Sequence, residues 1–111
     1  MFSPQDQRPF ETTDVPGIRR RCRAYGTETL LAEFILDAGA DLPRHSHPHE
    51  QTGYLLSGKL RMMVDGEETF VAEPGDSWTI LGDVPHQAEP IEECHVIEVF
   101  SPCRDEYLPG E

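Results

Sequence analysis

Three of the chain's five histidines fall within five positions of one stretch, "HSHPHEQ", as His45, His47 and His49. Neutral imidazole nitrogens bind iron, nickel, copper, zinc and manganese alike, so this density of rings is the raw material of a transition-metal site. On an extended strand, side chains of like parity point the same way. His45, His47 and Gln51 share parity, so a strand carrying them would aim two imidazoles and an amide oxygen into one space, with Ser46 and Glu50 facing elsewhere. A fourth ligand must then come from a distant element. His86 is the candidate, because it follows the turn Gly82-Asp83-Val84-Pro85, where a barrel rim would bring it back across a cavity. His49 shares the parity too and is expected at the rim or in support of the ligands. His95, isolated on "CHVIEV", is expected to be solvated or half-buried.

The elements that would hold these residues are short and β-rich. Ten prolines and nine glycines punctuate the chain, at spacings of roughly eight to twelve residues, which marks a sandwich or barrel. "TLLAEFIL" (Thr29 to Leu36) is apolar on both alternating faces except at Glu33, as expected inside a barrel wall or at a subunit interface. "GYLLSGKLRMMVDGEETFVA" reads as strand, glycine kink, strand, turn and strand. Its Asp65-Gly66 pair predicts a two-residue type I′ hairpin, which needs positive φ at both central positions. "AEPGDSWTIL" and "CHVIEVFS" (Cys94 to Ser101) complete a set of about eight mainly antiparallel strands without helix-length connections. The predicted fold is all-β, a small double-sheet jelly roll or barrel. One domain is expected: an arm or leading strand over residues 1–17, a barrel over 18–101 and a tail over 102–111. The basic run Arg19 to Arg21 with Arg23 reads as a surface strand whose outward arginines balance an acidic face, in preference to an anion site; at an edge it would also discourage aggregation.

Two motifs resemble those of the cupin superfamily. Gly39, His45, His47, Gln51 and Gly58 are similar in spacing to the first, and "PGDSWTILGDVPH" (Pro74 to His86) to the second, with His86 at the metal position. The resemblance covers about residues 30 to 101 and implies a jelly-roll barrel, a double-stranded β-helix, with a divalent metal on His45, His47, Gln51 and His86. Gln51 stands where the first motif commonly has glutamate, Leu81 and Asp83 where the second has proline and glycine, and Pro90 where it has asparagine. Three imidazoles and an amide form a neutral set, which leaves more Lewis acidity for polarising a substrate or water than a carboxylate would. The metal could be nickel, zinc, iron, manganese or copper.

A narrower resemblance is to the small cupins of uronate catabolism, the KdgF pectin-degradation family. It rests on "HSHPHEQTGYLLSGKL" and "GDVPHQAEPIEECHVIEVFSPCRDEY". That family converts 4,5-unsaturated monouronates from pectin or alginate to open-chain 4-deoxy-5-keto acids. The resemblance implies active-site roles for Glu98, Phe100 and Arg104, with Glu98 where aspartate is usual. Glu98 shares parity with Val96 and Phe100, and an acid that interrupts an apolar stripe is either paired or functional. Arg104 either clamps a substrate carboxylate through two parallel hydrogen bonds or pairs with Asp105 or Glu106. Phe100 serves as an apolar floor for a sugar ring or as core. The implied catalytic set is Glu98, Arg104 and Gln51, with Phe100 and Arg104 binding substrate. The other readings compatible with these residues are a mononuclear metal dioxygenase and a non-catalytic sugar-binding or sensing cupin.

Bulk composition narrows the partners. Twenty-one acidic residues against nine basic give a net charge of −12, which repels nucleic acid and anionic lipid. No run is long and apolar enough to span a bilayer, and "MFSPQDQRPF" lacks a basic segment followed by an apolar one, so a cytoplasmic protein is expected. Cys22, Cys94 and Cys103 are expected as free thiols, neither a disulfide framework nor a zinc knuckle. A carboxylated sugar is the expected small-molecule partner, and a homodimer is expected from analogy with strand exchange by an N-terminal arm.

Overall fold

The computed structural model describes residues 1–109; Gly110 and Glu111, the end of the expected tail, lie outside the described residues. The chain alternates inward apolar and outward polar side chains, and it forms strands wherever that alternation persists. These are β1 (Glu11–Thr12), β2 (Ile18–Tyr25), β3 (Leu30–Leu36), β4 (Leu42–His45), β5 (Glu50–Ser57), β6 (Leu60–Val64), β7 (Phe70–Ala72), β8 (Ser77–Ile80), β9 (His86–Pro90) and β10 (Cys94–Ser101). One short 3-10 helix, Asp105–Tyr107, follows. The strands pair antiparallel into a six-stranded sheet, ordered β1-β2-β3-β10-β5-β8, and a four-stranded sheet, ordered β4-β9-β6-β7. The fold is the expected all-β jelly roll. The strands exceed the eight anticipated because β1 and β4 are too short to show a pattern. Among the described residues no helix is long and apolar enough to cross a membrane.

The core lies between the sheets. Leu30, Ala32, Phe34 and Leu36 of β3, Leu55 of β5, Leu60, Met62 and Val64 of β6, and Val96 and Phe100 of β10 are all buried. Each large apolar side chain withdrawn from water there contributes about 1.5–3 kcal/mol. Cys22 and Cys94 are buried thiols, and Cys103 is partly exposed.

The basic run is the expected outward-facing strand only in part. It occupies β2, an inner strand flanked by β1 and β3, and its arginines divide between two faces. Arg21 and Arg23 turn to the outer face, where their Nε atoms lie 2.7 and 3.7 Å from Glu33. Their guanidiniums also donate to the main-chain oxygens of Pro4, Gln5 and Arg8, pinning the arm. His95 meets the other Glu33 oxygen, so it is paired on the strand and not simply solvated. Glu33 is 8% exposed, and the two arginines with the His95 hydrogen bond are what permit a carboxylate there. Arg20 faces the opposite way, with Ile18 and Cys22.

The Asp65-Gly66 turn also departs from expectation. Gly66 has φ +85° while Asp65 is not in the left-handed region, and the Glu67 N–H donates to the Val64 carbonyl over 3.0 Å. One left-handed residue in third place is the type II pattern. The strand resumes only at Phe70, so the longer connection removes the demand for a mirror-image turn.

Candidate metal and substrate site

His45 ends β4 and His86 begins β9, and the two are directly opposed partners across the sheet. Their ring centroids lie 4.3 Å apart. His47 is in the loop after β4, with its ring 5.6 Å from His45 and 5.0 Å from His86. The strand expected to carry both His45 and His47 is therefore broken between them. A loop-to-loop clasp does the alignment: the Asp83 N–H donates to the His47 carbonyl over 2.7 Å. Gly82 is pressed so closely to Pro48 that a Cβ would stand 2.4 Å from its carbonyl oxygen. Asp83 itself has φ +65°, a conformation aspartate tolerates better than most residues. The resembled motif has glycine at this position.

One ring-nitrogen ligand atom from each of His45, His47 and His86 lies within 4.8 Å of the others. Each Nδ1 meets a main-chain carbonyl: Pro43 for His45 at 2.8 Å, His49 for His47 at 2.9 Å and Val84 for His86 at 2.9 Å. A carbonyl only accepts, so each Nδ1 carries the proton and each Nε2 keeps its lone pair. This arrangement fixes tautomer and ring direction for a metal. The His47 Nε2 is buried with no hydrogen-bond partner, an arrangement that costs free energy unless something binds it. Burial, reinforced by the charge of Arg104, lowers the His47 pKa to about 4. Burial is also the main force lowering that of His86. Both rings are thus neutral and free to ligate near pH 7. The donor set fits a divalent transition ion.

Gln51 is 5% exposed. Its Nε2 donates to Glu98 over 2.9 Å, which orients the amide oxygen away from that carboxylate. The His49 ring stands outside the cluster of three, and its carbonyl holds His47.

Glu98 receives a second donor. The Trp78 Nε1–H reaches the same carboxylate oxygen over 3.2 Å. Burial pushes the Glu98 carboxyl up to about 7 against the lowering effect of these two bonds and of Arg104. A carboxyl balanced between its two states near neutrality can give or take a proton. Gln51, Glu98, Phe100, Arg104, His45 and His86 all line one cavity of about 570 Å³.

A family model of the cupin domain matches residues 32–100. The chain is a cupin. Its fold is similar to that of KdgF from Halomonas sp., at 30% identity and a TM-score of 0.89, with 97% of this chain and 100% of that one covered. It is similar to an RmlC-like cupin from Shewanella frigidimarina NCIMB 400, at 29% identity and 0.88, covering 96% and 95%. The polyketide cyclase RemF from Streptomyces resistomycificus shares the fold at 21% identity and 0.76, covering 94% and 87%. A search of curated proteins found no match.

In this cupin the segment after β10 folds back over the cavity. Arg104 pairs with Glu106 through Nε at 2.6 Å while its guanidinium carbon lies 4.3 Å from the Tyr107 ring centroid and 5.3 Å from that of Phe100. Both expected partners of Arg104, a neighbouring acid and the cavity, are therefore in reach. Phe100 is 1% exposed, with its ring centroid 6.0 Å from His47 and 5.2 Å from Tyr107. It forms a rigid wall behind the cluster. Trp78, Gly53 and Tyr107 escaped the sequence reading, which placed Arg20 among the outward arginines of the basic run. Parity with Ile18 and Cys22 could have turned Arg20 inward, whereas nothing local marks Trp78 or Gly53 as neighbours of Glu98.

Proposed function

We propose that this cupin opens 4,5-unsaturated monouronates, of the kind released from pectin or alginate, to linear 4-deoxy-5-keto acids. The observation that carries the reading is Glu98, a carboxyl raised to about 7, oriented by Gln51 and Trp78 in the cavity that also holds His45, His86 and Arg104. The likeness to KdgF in fold and length supports it.

His45, His47, His86 and the Gln51 oxygen would hold one divalent metal ion. Once bound, that ion supplies Lewis acidity toward substrate oxygens or water. Arg104 orients the substrate carboxylate, and Phe100 supplies an apolar surface for the ring. Protonated Glu98 delivers its proton to C4 of the enol ether. Water adds to C5, the carbon bearing the carboxylate, and gives a cyclic hemiketal. Loss of the hydroxyl proton and cleavage of the bond between C5 and the ring oxygen produce the 5-ketone. The oxygen released from C5 stays on C1 as an aldehyde hydrate, which loses water. The net change is an isomerisation with no redox step.

The decisive experiment incubates metal-loaded protein with unsaturated galacturonate or guluronate and follows loss of the conjugated ultraviolet absorbance. Loss faster than in buffer is expected; no acceleration with any of nickel, zinc, iron, manganese or copper would rule the reading out.

A homodimer is proposed on separate grounds. Tyr54 and Leu56 of β5 and Val99 of β10 are 42%, 43% and 38% exposed on the outer face of one sheet. A second copy would cover this apolar surface, and sedimentation at micromolar concentration should give twice the chain mass. A monomer would contradict it.

A further inference from the structure

Arg20 is the inward member of the basic run. Its neighbours of like parity on β2, Ile18 and Cys22, are buried, and its partner across the sheet is Phe34 of the core. Arg20 lines the same cavity as Glu98, Arg104, His45 and His86. There the guanidinium carbon stands 3.9 Å from the centroid of the Tyr107 ring, the ring that Arg104 also covers at 4.3 Å. Tyr107 is fixed in turn by edge contacts to Phe34 at 6.1 Å and Phe100 at 5.2 Å. Two guanidiniums thus stack on one immobilised aromatic ring.

We propose that Arg20 is a substrate-binding residue, a second guanidinium that with Arg104 receives the carboxylate of the ligand. This rests on the reading of the cavity as a site for carboxylated sugars. Arg21, Arg23, Arg44, Arg61 and Arg104 each pair with an acidic side chain. Arg20 makes no ion pair and no side-chain hydrogen bond among the described residues, in a chain carrying twenty-one acids. A cation drawn partly out of water in a cavity that holds a second cation is unfavourable until an anion joins them. The acids that share the cavity wall leave that role open: Glu106 is engaged by Arg104, Glu98 by Gln51 and Trp78, and Asp14 is solvent-exposed. Arg104 has its Nε committed to Glu106, so it cannot offer the side-on fork of Nε and Nη. Arg20 retains that fork. A planar carboxylate accepts bidentate donation from one guanidinium and a further bond from a second. Because the carboxylate is present in substrate and transition state alike, Arg20 contributes to binding and little to the chemical step.

The test compares metal-loaded wild type with Arg20→Gln and Arg20→Met, the latter keeping an aliphatic chain over Tyr107. Calorimetry with saturated galacturonate, with galactose as the neutral control, measures binding. Loss of one charge-assisted contact should weaken galacturonate roughly 10- to 100-fold. Galactose should bind no differently. With the unsaturated substrate, KM should rise by that factor while kcat stays within about threefold. Equal galacturonate affinity in wild type and both variants would overturn the proposal. So would unfolding of both variants, because it would assign Arg20 to the packing of Tyr107. If wild type binds no uronate and turns none over, the uronate reading fails separately. A thermal-shift series with acetate, malonate and citrate then decides on Arg20: stabilisation of wild type that both variants lack supports it, and no difference overturns it.

Discussion

Trp78 donates its indole N–H to Glu98 over 3.2 Å across the strand that separates them. The two residues sit on β8 and β10, and both are cross-strand partners of Gly53 on β5. A Cβ at Gly53 would come 2.4 Å from the indole. The missing side chain is therefore what allows the indole to lie over β5 and reach the acid. Glu98 owes its orientation to a residue that contributes no atoms to the bond.

Gly53→Ala is accordingly expected to displace Trp78, with a destabilisation of about 1–3 kcal/mol from overpacking. Turnover of the unsaturated uronate should drop well beyond tenfold while metal content is unchanged. Denaturant unfolding, metal analysis and the ultraviolet assay read the three effects separately. An unaltered rate would show that the Trp78 bond is dispensable.

Glu98→Gln preserves size and still offers an oxygen to Gln51 and Trp78, so metal content and fold should persist. Loss of the proton donor should lower kcat by roughly 10²- to 10⁴-fold. In wild type, burial raises this carboxyl to about 7. Donation needs the protonated form, so kcat should decline as pH rises through about 7. A profile that stays flat above that pH would take Glu98 out of proton delivery.

His45→Ala and His86→Ala each remove one of three convergent nitrogens. Metal content measured after purification without chelators should fall to background in both. A ligand that binds only the folded chain stabilises it, so EDTA should lower the wild-type unfolding temperature and leave both variants unaffected. Full metal occupancy in either variant would place the ion elsewhere.

Glu33 governs acid stability on the other face of the sheet. Although burial opposes it, the hydrogen bonds from Arg21 and His95 keep its carboxyl below the ordinary glutamate range. The stabilisation is present above the unfolded-state pKa and is lost as pH falls through the lower folded value. Glu33→Gln should destabilise the protein at neutral pH by about 1.5–3 kcal/mol, the range for bonds to a charged group. Its stability should also fall less steeply on acidification below about 4.5. Parallel acid unfolding curves for wild type and variant would contradict this origin.

Much of the fold and part of the site are legible in the residues alone. Alternation over Leu30–Leu36 and Cys94–Ser101 marks strands because parity is a local property of an extended backbone. Glu98 stands out for the same reason, as a carboxyl amid an apolar stripe. The spacing of His45, His47 and His86 marks a candidate metal site, yet parity along one strand is not what unites it. His47 lies beyond the end of β4, and the Asp83–His47 clasp turns it inward.

Sequence by itself determined the all-β character, the histidine cluster and the acid at Glu98, since each depends on residue type and short spacing. Tertiary structure decided that Trp78 reaches Glu98 over Gly53, that Tyr107 folds back onto Phe100, and that Arg20 joins Arg104 while Arg21 turns to Glu33. These depend on register between strands and on where a loop or terminal segment returns. Such long-range choices are made by burial across the whole barrel, and no short stretch of chain contains them.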